Sequence, residues 1–129
     1  IDFLPYLGNY GFIPSTVMDT SRGGDGDAVD VLLIAEHLPT GTIVQILPIG
    51  ILVLKDSGEN DSKIIAVPMD ERLQVLDVKN FSRLSSEYAR VKRLIELWFL
   101  GYKGSNDVRF IAWGDEAVAK AEIEKWRIK

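Results

Sequence analysis

Residues 25–35 read Asp25-Gly26-Asp27-Ala28-Val29-Asp30-Val31-Leu32-Leu33-Ile34-Ala35. The first half is acidic and broken by glycine, which is turn chemistry. The second half, residues 29–35, is a short and nearly continuous apolar run, the pattern of a strand buried on both faces. An acidic loop therefore feeds directly into a core strand. If the loop is extended, Asp25 and Asp27 share a face and Asp30 has the opposite parity. Asp30 joins them only if the backbone kinks, which Gly26 permits.

Working outward, residues 1–14 look extended and end at Pro14, and residues 19–28 form a loop rich in Gly, Asp and Ser. Pro39-Thr40-Gly41 is a turn. Residues 42–54 are apolar and β-branched but carry Pro48 and Gly50, so they form one bent strand or two short ones with a bulge between. Residues 57–60 turn, and residues 63–68 form the next strand. Tyr88, Val91, Ile95, Trp98, Phe99 and Tyr102 then recur at steps of three and four, the stripe of an amphipathic helix. Ser85 or Ser86 is placed to cap its start and Gly104 its end. Residues 108–113 give a further strand. Asp115 caps a C-terminal helix with Ala119, Ile123 and Trp126 on one face. This order predicts a mainly β fold with two α-helices, either α+β or a small closed barrel flanked by the helices. The regular βαβ alternation of a dinucleotide-binding fold is absent.

The 129 residues fit one domain. Absence of cysteine excludes disulfides and thiolate metal sites. The formal net charge of -4 argues against a nucleic-acid partner, which wants a basic face. No apolar run approaches the roughly 20 residues of a membrane span. The opening Ile1-Asp2-Phe3-Leu4 reads like the inside of a strand, so the expectation is a domain shortened at its N-terminus.

A second acidic group follows the bent strand: Asp56, then Asp61-Ser62-Lys63. If residues 57–60 are a hairpin loop, Asp56 and Asp61 face each other across it. Lys63, two residues on, shares the face of Asp61. Two unit charges ~4 Å apart repel by about 4 kcal/mol at an effective dielectric of about 20. Converging aspartates therefore need countercharge, and hard oxygen-seeking divalent cations, above all Mg²⁺, supply it. Carboxylates shared between closely spaced metals are the setting of two-metal phosphoryl chemistry. Taken singly, each cluster is equally a solvated turn. The EF-hand pattern is not matched, because its fifth and sixth positions fall on Val29 and Asp30. His37 lies far from any motif and reads as a surface residue. Tyr10 is either a half-buried strand aromatic or a hydroxyl for a substrate. Tyr102-Lys103 is either a core tyrosine with a lysine complementing the helix dipole, or a pair aimed at phosphate oxygens.

Together these residues resemble the soluble family I inorganic pyrophosphatases. The Asp25-Gly26-Asp27-Ala28-Val29-Asp30-Val31 segment matches that family's Asp-x-Asp-x-x-Asp signature. Tyr6 and Asn9-Tyr10-Gly11-Phe12-Ile13-Pro14 stand upstream of it. Pro48-Ile49-Gly50-Ile51-Leu52, Asp56, Asp61-Ser62-Lys63, Ile64-Ile65-Ala66-Val67-Pro68, Tyr102-Lys103 and Trp113 follow in order. The resemblance implies an OB-like five-stranded β-barrel with helices beside it, and Mg²⁺-dependent hydrolysis of pyrophosphate to two phosphates, with Mn²⁺ or Zn²⁺ as substitutes. It implies that Asp25, Asp30 and Asp61 hold a first metal and that Asp30 reaches a second. Asp56 and Asp61 would hold the metal that arrives with substrate. Asp27 would orient or deprotonate the attacking water. Tyr10, Lys63, Tyr102 and Lys103 would bind phosphate. A homo-oligomer, trimer or hexamer, in the cytoplasm is implied as well.

Two local departures stand out: Ala28 replaces the usual Pro or Glu, and Ser57 follows Asp56 where many bacterial members carry a second acid. The family's N-terminal strands, with their phosphate-binding Lys and Arg and metal-facing Glu residues, have no counterpart in these 129 residues. Two rival readings follow. One is a catalytically weak or inactive fragment of the family that binds metal or pyrophosphate. The other is an OB-type nucleic-acid module, which the acidic loops disfavour.

Overall fold

The computed structural model describes residues 8–101 and 107–128. Tyr6, Tyr102, Lys103 and Gly104 lie outside the described residues.

Among the described residues six strands form one sheet: β1 (Asn9–Phe12), β2 (Asp30–Leu33), β3 (Ile46–Asp56), β4 (Glu59–Asn60), β5 (Lys63–Pro68) and β6 (Val108–Gly114). Their order is β1-β2-β5-β3-β4, with β6 also paired to β3. The β2–β5 pair is parallel and the remaining pairs are antiparallel. The α+β class is as expected, but among the described residues there are six strands rather than five and the sheet does not close. Among those residues β1 pairs only with β2, and β6 only with β3. Phe12 on β1 and Phe110 and Ile111 on β6 are exposed.

Alternation of side chains explains the unbroken apolar runs. Along β5, Ile64 and Ala66 pack on one face with Val31, Leu33, Ile51, Ala119 and Trp126. Ile65 and Val67 pack on the other with Leu32, Leu52, Leu54, Leu84, Ile95 and Phe99. Both faces of the central strands are covered, so neither parity can be polar. The bent strand is a single one, β3, whose register shifts between Pro48 and Gly50. Proline has no N–H to give to a ladder, and a bulge is where a sheet tolerates it.

Among the described residues three α-helices, not two, cover the sheet: α1 (Phe81–Ser86), α2 (Ala89–Gly101) and α3 (Glu116–Lys125). Ser85 and Ser86, expected to cap the striped helix, lie instead inside α1, whose own N-cap is Asn80, its side chain accepting from the Arg83 N–H at 2.8 Å. The α2 stripe buries Ile95 and Phe99, with Val91 and Trp98 partly buried against the same cluster. Among the described residues no helix is long and apolar enough to cross a membrane.

Asp115 caps α3 as the sequence indicates, accepting from the N–H groups of Ala117 and Val118 at 3.0 Å each. Both donors belong to the first turn, where no helical carbonyl can reach them. Asp115→Ala is expected to lower stability by about 1 kcal/mol. Urea unfolding checks this, with the midpoint moving and the slope unchanged.

Candidate functional site

The parallel pairing of β2 with β5 sets Asp30 directly beside Lys63, 33 residues away in sequence. The Lys63 ammonium donates to Asp30 Oδ2 at 2.9 Å and to Asp61 Oδ1 at 2.8 Å. It is 3% exposed, against 26% and 13% for the two carboxylates. The rings of Tyr10 and Phe99 lie 5.3 and 5.8 Å from it. Tyr10 is half exposed on β1 and meets Phe99 edge-on at 5.9 Å.

The acidic loop is not extended. Gly26 takes a left-handed φ of 87°, and the Asp27 N–H donates to Asp25 Oδ1 at 2.9 Å. Met18 fastens the loop from beneath: its N–H donates to the Asp27 carbonyl at 2.8 Å, and its carbonyl accepts from the Gly26 N–H at 2.7 Å. The kink removes the parity conflict and lets Asp25, Asp27 and Asp30 line one cavity.

The second cluster arrives on a hairpin, though a tighter one than expected. Ser57 and Gly58, with φ of 53° and 84°, form a two-residue loop of the kind that favours left-handed φ at both positions. Asp56 pairs with Glu59, and Lys55 with Asn60. Asp56 and Asp61 therefore do not face each other. Instead the Asp61 N–H donates to the Leu54 carbonyl at 3.0 Å, and Asp61 still reaches the cavity.

That cavity, of about 360 Å³, is lined by seven of the nine candidate residues: Tyr10, Asp25, Asp27, Asp30, Asp56, Asp61 and Lys63. The other two, Tyr102 and Lys103, lie outside the described residues. Ser57, named in the sequence only as a departure from the family, also lines it, and so do Glu59 and Asn60, which escaped the sequence reading. A signal for Glu59 was available: Ser57-Gly58 is a two-residue turn sequence, and such a turn sets residue 59 opposite residue 56.

Charge is concentrated here. Partial burial raises the Asp25 pKa above its ordinary value, and the charges of Asp27, Asp61 and Asp30 add to the shift against the hydrogen bond from the Asp27 N–H. Burial alone would lower the Lys63 pKa, but its bonds to Asp61, Tyr10 and Asp30 outweigh that and raise it. Lys63 is thus held charged among the acids.

The donors also suit a hard cation. Six carboxylates, with no histidine or cysteine, surround the cavity. Among the described residues no three acids are gathered into a ready metal cage. Mg²⁺ does not require one, because it keeps several waters and is commonly held through one or two carboxylates plus substrate phosphates. The residues fit such an ion.

Comparison with known proteins agrees along the whole chain. The profile of the inorganic pyrophosphatase family matches residues 1–129. Inorganic pyrophosphatase 1 of Pseudomonas syringae pv. tomato is 38% identical over 125 residues, covering 93% of this chain and 67% of that protein. The inorganic pyrophosphatase of Pseudomonas aeruginosa is 36% identical over 126 residues, at 93% and 67% coverage. Among solved structures, the inorganic pyrophosphatase of Neisseria gonorrhoeae superposes with a TM-score of 0.73 at 35% identity, covering 92% of this chain and 69% of that one. That of Coxiella burnetii gives 0.78 at 28% identity, covering 94% and 70%. The chain spans about two thirds of the length of the curated relatives it matches. With the fold, the acidic loop and the full-length profile match all in agreement, the chain belongs to the inorganic pyrophosphatase family, and with it to the hydrolases.

Proposed function

We propose that this chain hydrolyses inorganic pyrophosphate to two phosphates with Mg²⁺, using the acidic cavity between the residue 25–30 loop and the β3–β4 hairpin. The observation that carries this reading is the convergence of Asp25, Asp27, Asp30, Asp56 and Asp61 with Lys63 and Tyr10 on one cavity. Two sequence clusters about 30 residues apart have no need to meet if each is only a solvated turn.

In this reading Asp25, Asp30, Asp56 and Asp61 hold the cations, with Mn²⁺ or Zn²⁺ as substitutes. Bound divalent ions would neutralise the substrate and bring the pKa of an attached water toward neutrality. Asp27, exposed at the rim of the cavity, orients that water and takes its proton. Lys63 and the Tyr10 hydroxyl hold phosphate oxygens, since a charged donor makes the stronger bond to them. Tyr102 and Lys103 are assigned to the same task by family resemblance alone. The reaction asks chiefly for positioning and charge neutralisation, and a cavity lined by fixed acids, a buried ammonium and a phenol provides both.

The test is phosphate release from pyrophosphate at graded Mg²⁺. Release that requires Mg²⁺ and stops with chelator is the expected result. Mg²⁺ and pyrophosphate binding without release would favour a binding fragment of the family, and no binding of either would remove the reading. A cytoplasmic homo-oligomer, trimer or hexamer, also belongs to this proposal. It is supported by the resemblance and by the exposed Phe110 and Ile111 on β6, and light scattering on the purified chain decides the assembly.

A further inference from the structure

We propose that Phe99 is a positioning residue for phosphate binding, its ring holding the Lys63 ammonium and the Tyr10 phenol where they meet phosphate oxygens. The inference rests on the roles given to Lys63 and Tyr10 under Proposed function and adds the group behind them. Phe99 lies on α2, is 1% exposed and belongs to the core cluster with Leu52, Ile65 and Ile95. The cavity is lined by Lys63 and Tyr10 but not by Phe99. On β5, Lys63 shares the face of Ile65, the face on which that cluster sits. Its ammonium is thereby brought over the Phe99 ring, 5.8 Å from the centroid. Asp30 and Asp61 bind the same ammonium at 2.9 and 2.8 Å. The carboxylates hold it by charge on the cavity side, and the ring encloses it on the core side with the negative face of its π-system.

Tyr10 is 45% exposed, on a strand that among the described residues is paired on one side alone. Its ring meets Phe99 edge-on, with centroids 5.9 Å apart at 78°. Phe99 in turn meets Trp98 at 5.0 Å and 90°. Such T-shaped pairs set ring orientation as well as separation. An exposed phenol is thus tied to a buried ring that its own helix neighbour holds. Leucine at position 99 would keep the core apolar, but it offers no π-face to the ammonium and no ring to the phenol.

The test reads affinity for methylenediphosphonate, a diphosphate analogue with a bridge that water does not split, by calorimetry at saturating Mg²⁺. The unaltered chain is compared with Phe99→Leu, with Ile95→Val as a buried change on the same helix and in the same cluster, and with chains carrying mono-, di- or trifluorinated phenylalanine at position 99. Thermal midpoints verify that each is folded at the assay temperature. Fluorine nearly preserves ring size while it drains the negative charge of the ring face, so a role in packing alone leaves affinity flat across that series. The expected result is a stepwise fall reaching roughly threefold at three fluorines, a loss of about 10-fold in Phe99→Leu, and unchanged affinity in Ile95→Val. A flat fluorinated series, or unchanged affinity in Phe99→Leu, overturns the proposal and leaves Phe99 a core residue. Equal weakening in Ile95→Val also overturns it, by tracing the effect to a loosened core. Each of these leaves the cavity's function standing. Absence of diphosphonate binding by the unaltered chain overturns this inference together with the reading beneath it.

Discussion

Asp27→Asn is expected to cut the rate of Mg²⁺-dependent phosphate release by about 10²–10⁴-fold while leaving the fold and cation affinity nearly as they are. The loop bonds at this residue run through its backbone: its N–H donates to Asp25 Oδ1 and its carbonyl accepts from the Met18 N–H. An amide side chain of the same shape preserves both. Asp27 is exposed, so no buried partner is orphaned by the change. What is lost is the capacity to accept a proton from water. The measurements are kcat and KM for pyrophosphate, Mg²⁺ affinity by calorimetry, and the far-UV circular dichroism spectrum. A fall in kcat with the other two unchanged supports the role. Turnover within a few-fold of the parent would move the proton to another group, and a loss of Mg²⁺ affinity would make Asp27 a ligand instead.

Much of this arrangement is legible in sequence because burial and turn chemistry are local codes. The Lys63–Pro68 strand is where its apolar, β-branched run places it. Asp115 precedes a helix because its short side chain serves first-turn N–H groups, and that helix buries Ala119. Pro48 and Gly50 mark a bulge that the register confirms. The misses share a different cause. Counting residues between Asp56 and Asp61 gave a four-residue loop, but Ser57 and Gly58 both adopt left-handed backbone and let the ladder resume at Glu59. That shift by a pair replaced Asp61 with Glu59 as the partner of Asp56. The helix Phe81–Ser86 buries only Leu84, too little apolar periodicity to announce a six-residue helix. Above all, no local pattern joins Lys63 to Asp30. Their contact follows from the parallel pairing of β2 with β5, a long-range choice made by the whole sheet.

That long-range contact carries the second large prediction: Lys63→Met is expected to destabilise the chain by about 3 kcal/mol in the absence of divalent cations. Methionine fills the space of the lysine stem, so little packing is lost. The ammonium, however, is the bonded countercharge of two carboxylates, at 2.9 Å from Asp30 and 2.8 Å from Asp61. Removing one partner of a buried ion pair typically costs about 3–5 kcal/mol, because the remaining charge stays desolvated. Water reaches Asp30, whose side chain is 26% exposed, which places the expected loss at the low end. The sign with pH follows from the raised Lys63 pKa. The stabilisation is complete below the ordinary lysine value of 10.5 and fades only as pH rises beyond it, so neutral pH shows the full effect. Urea unfolding at neutral pH measures it, and Lys63→Met combined with Asp61→Asn closes a double-mutant cycle with strongly non-additive terms. Millimolar Mg²⁺ is expected to return part of the lost stability to Lys63→Met, since binding to the folded state stabilises it by mass action and a divalent cation can replace the missing countercharge. A loss below about 1 kcal/mol, the range of solvated surface pairs, would mean that water already reaches these carboxylates and that Lys63 is not their structural countercharge.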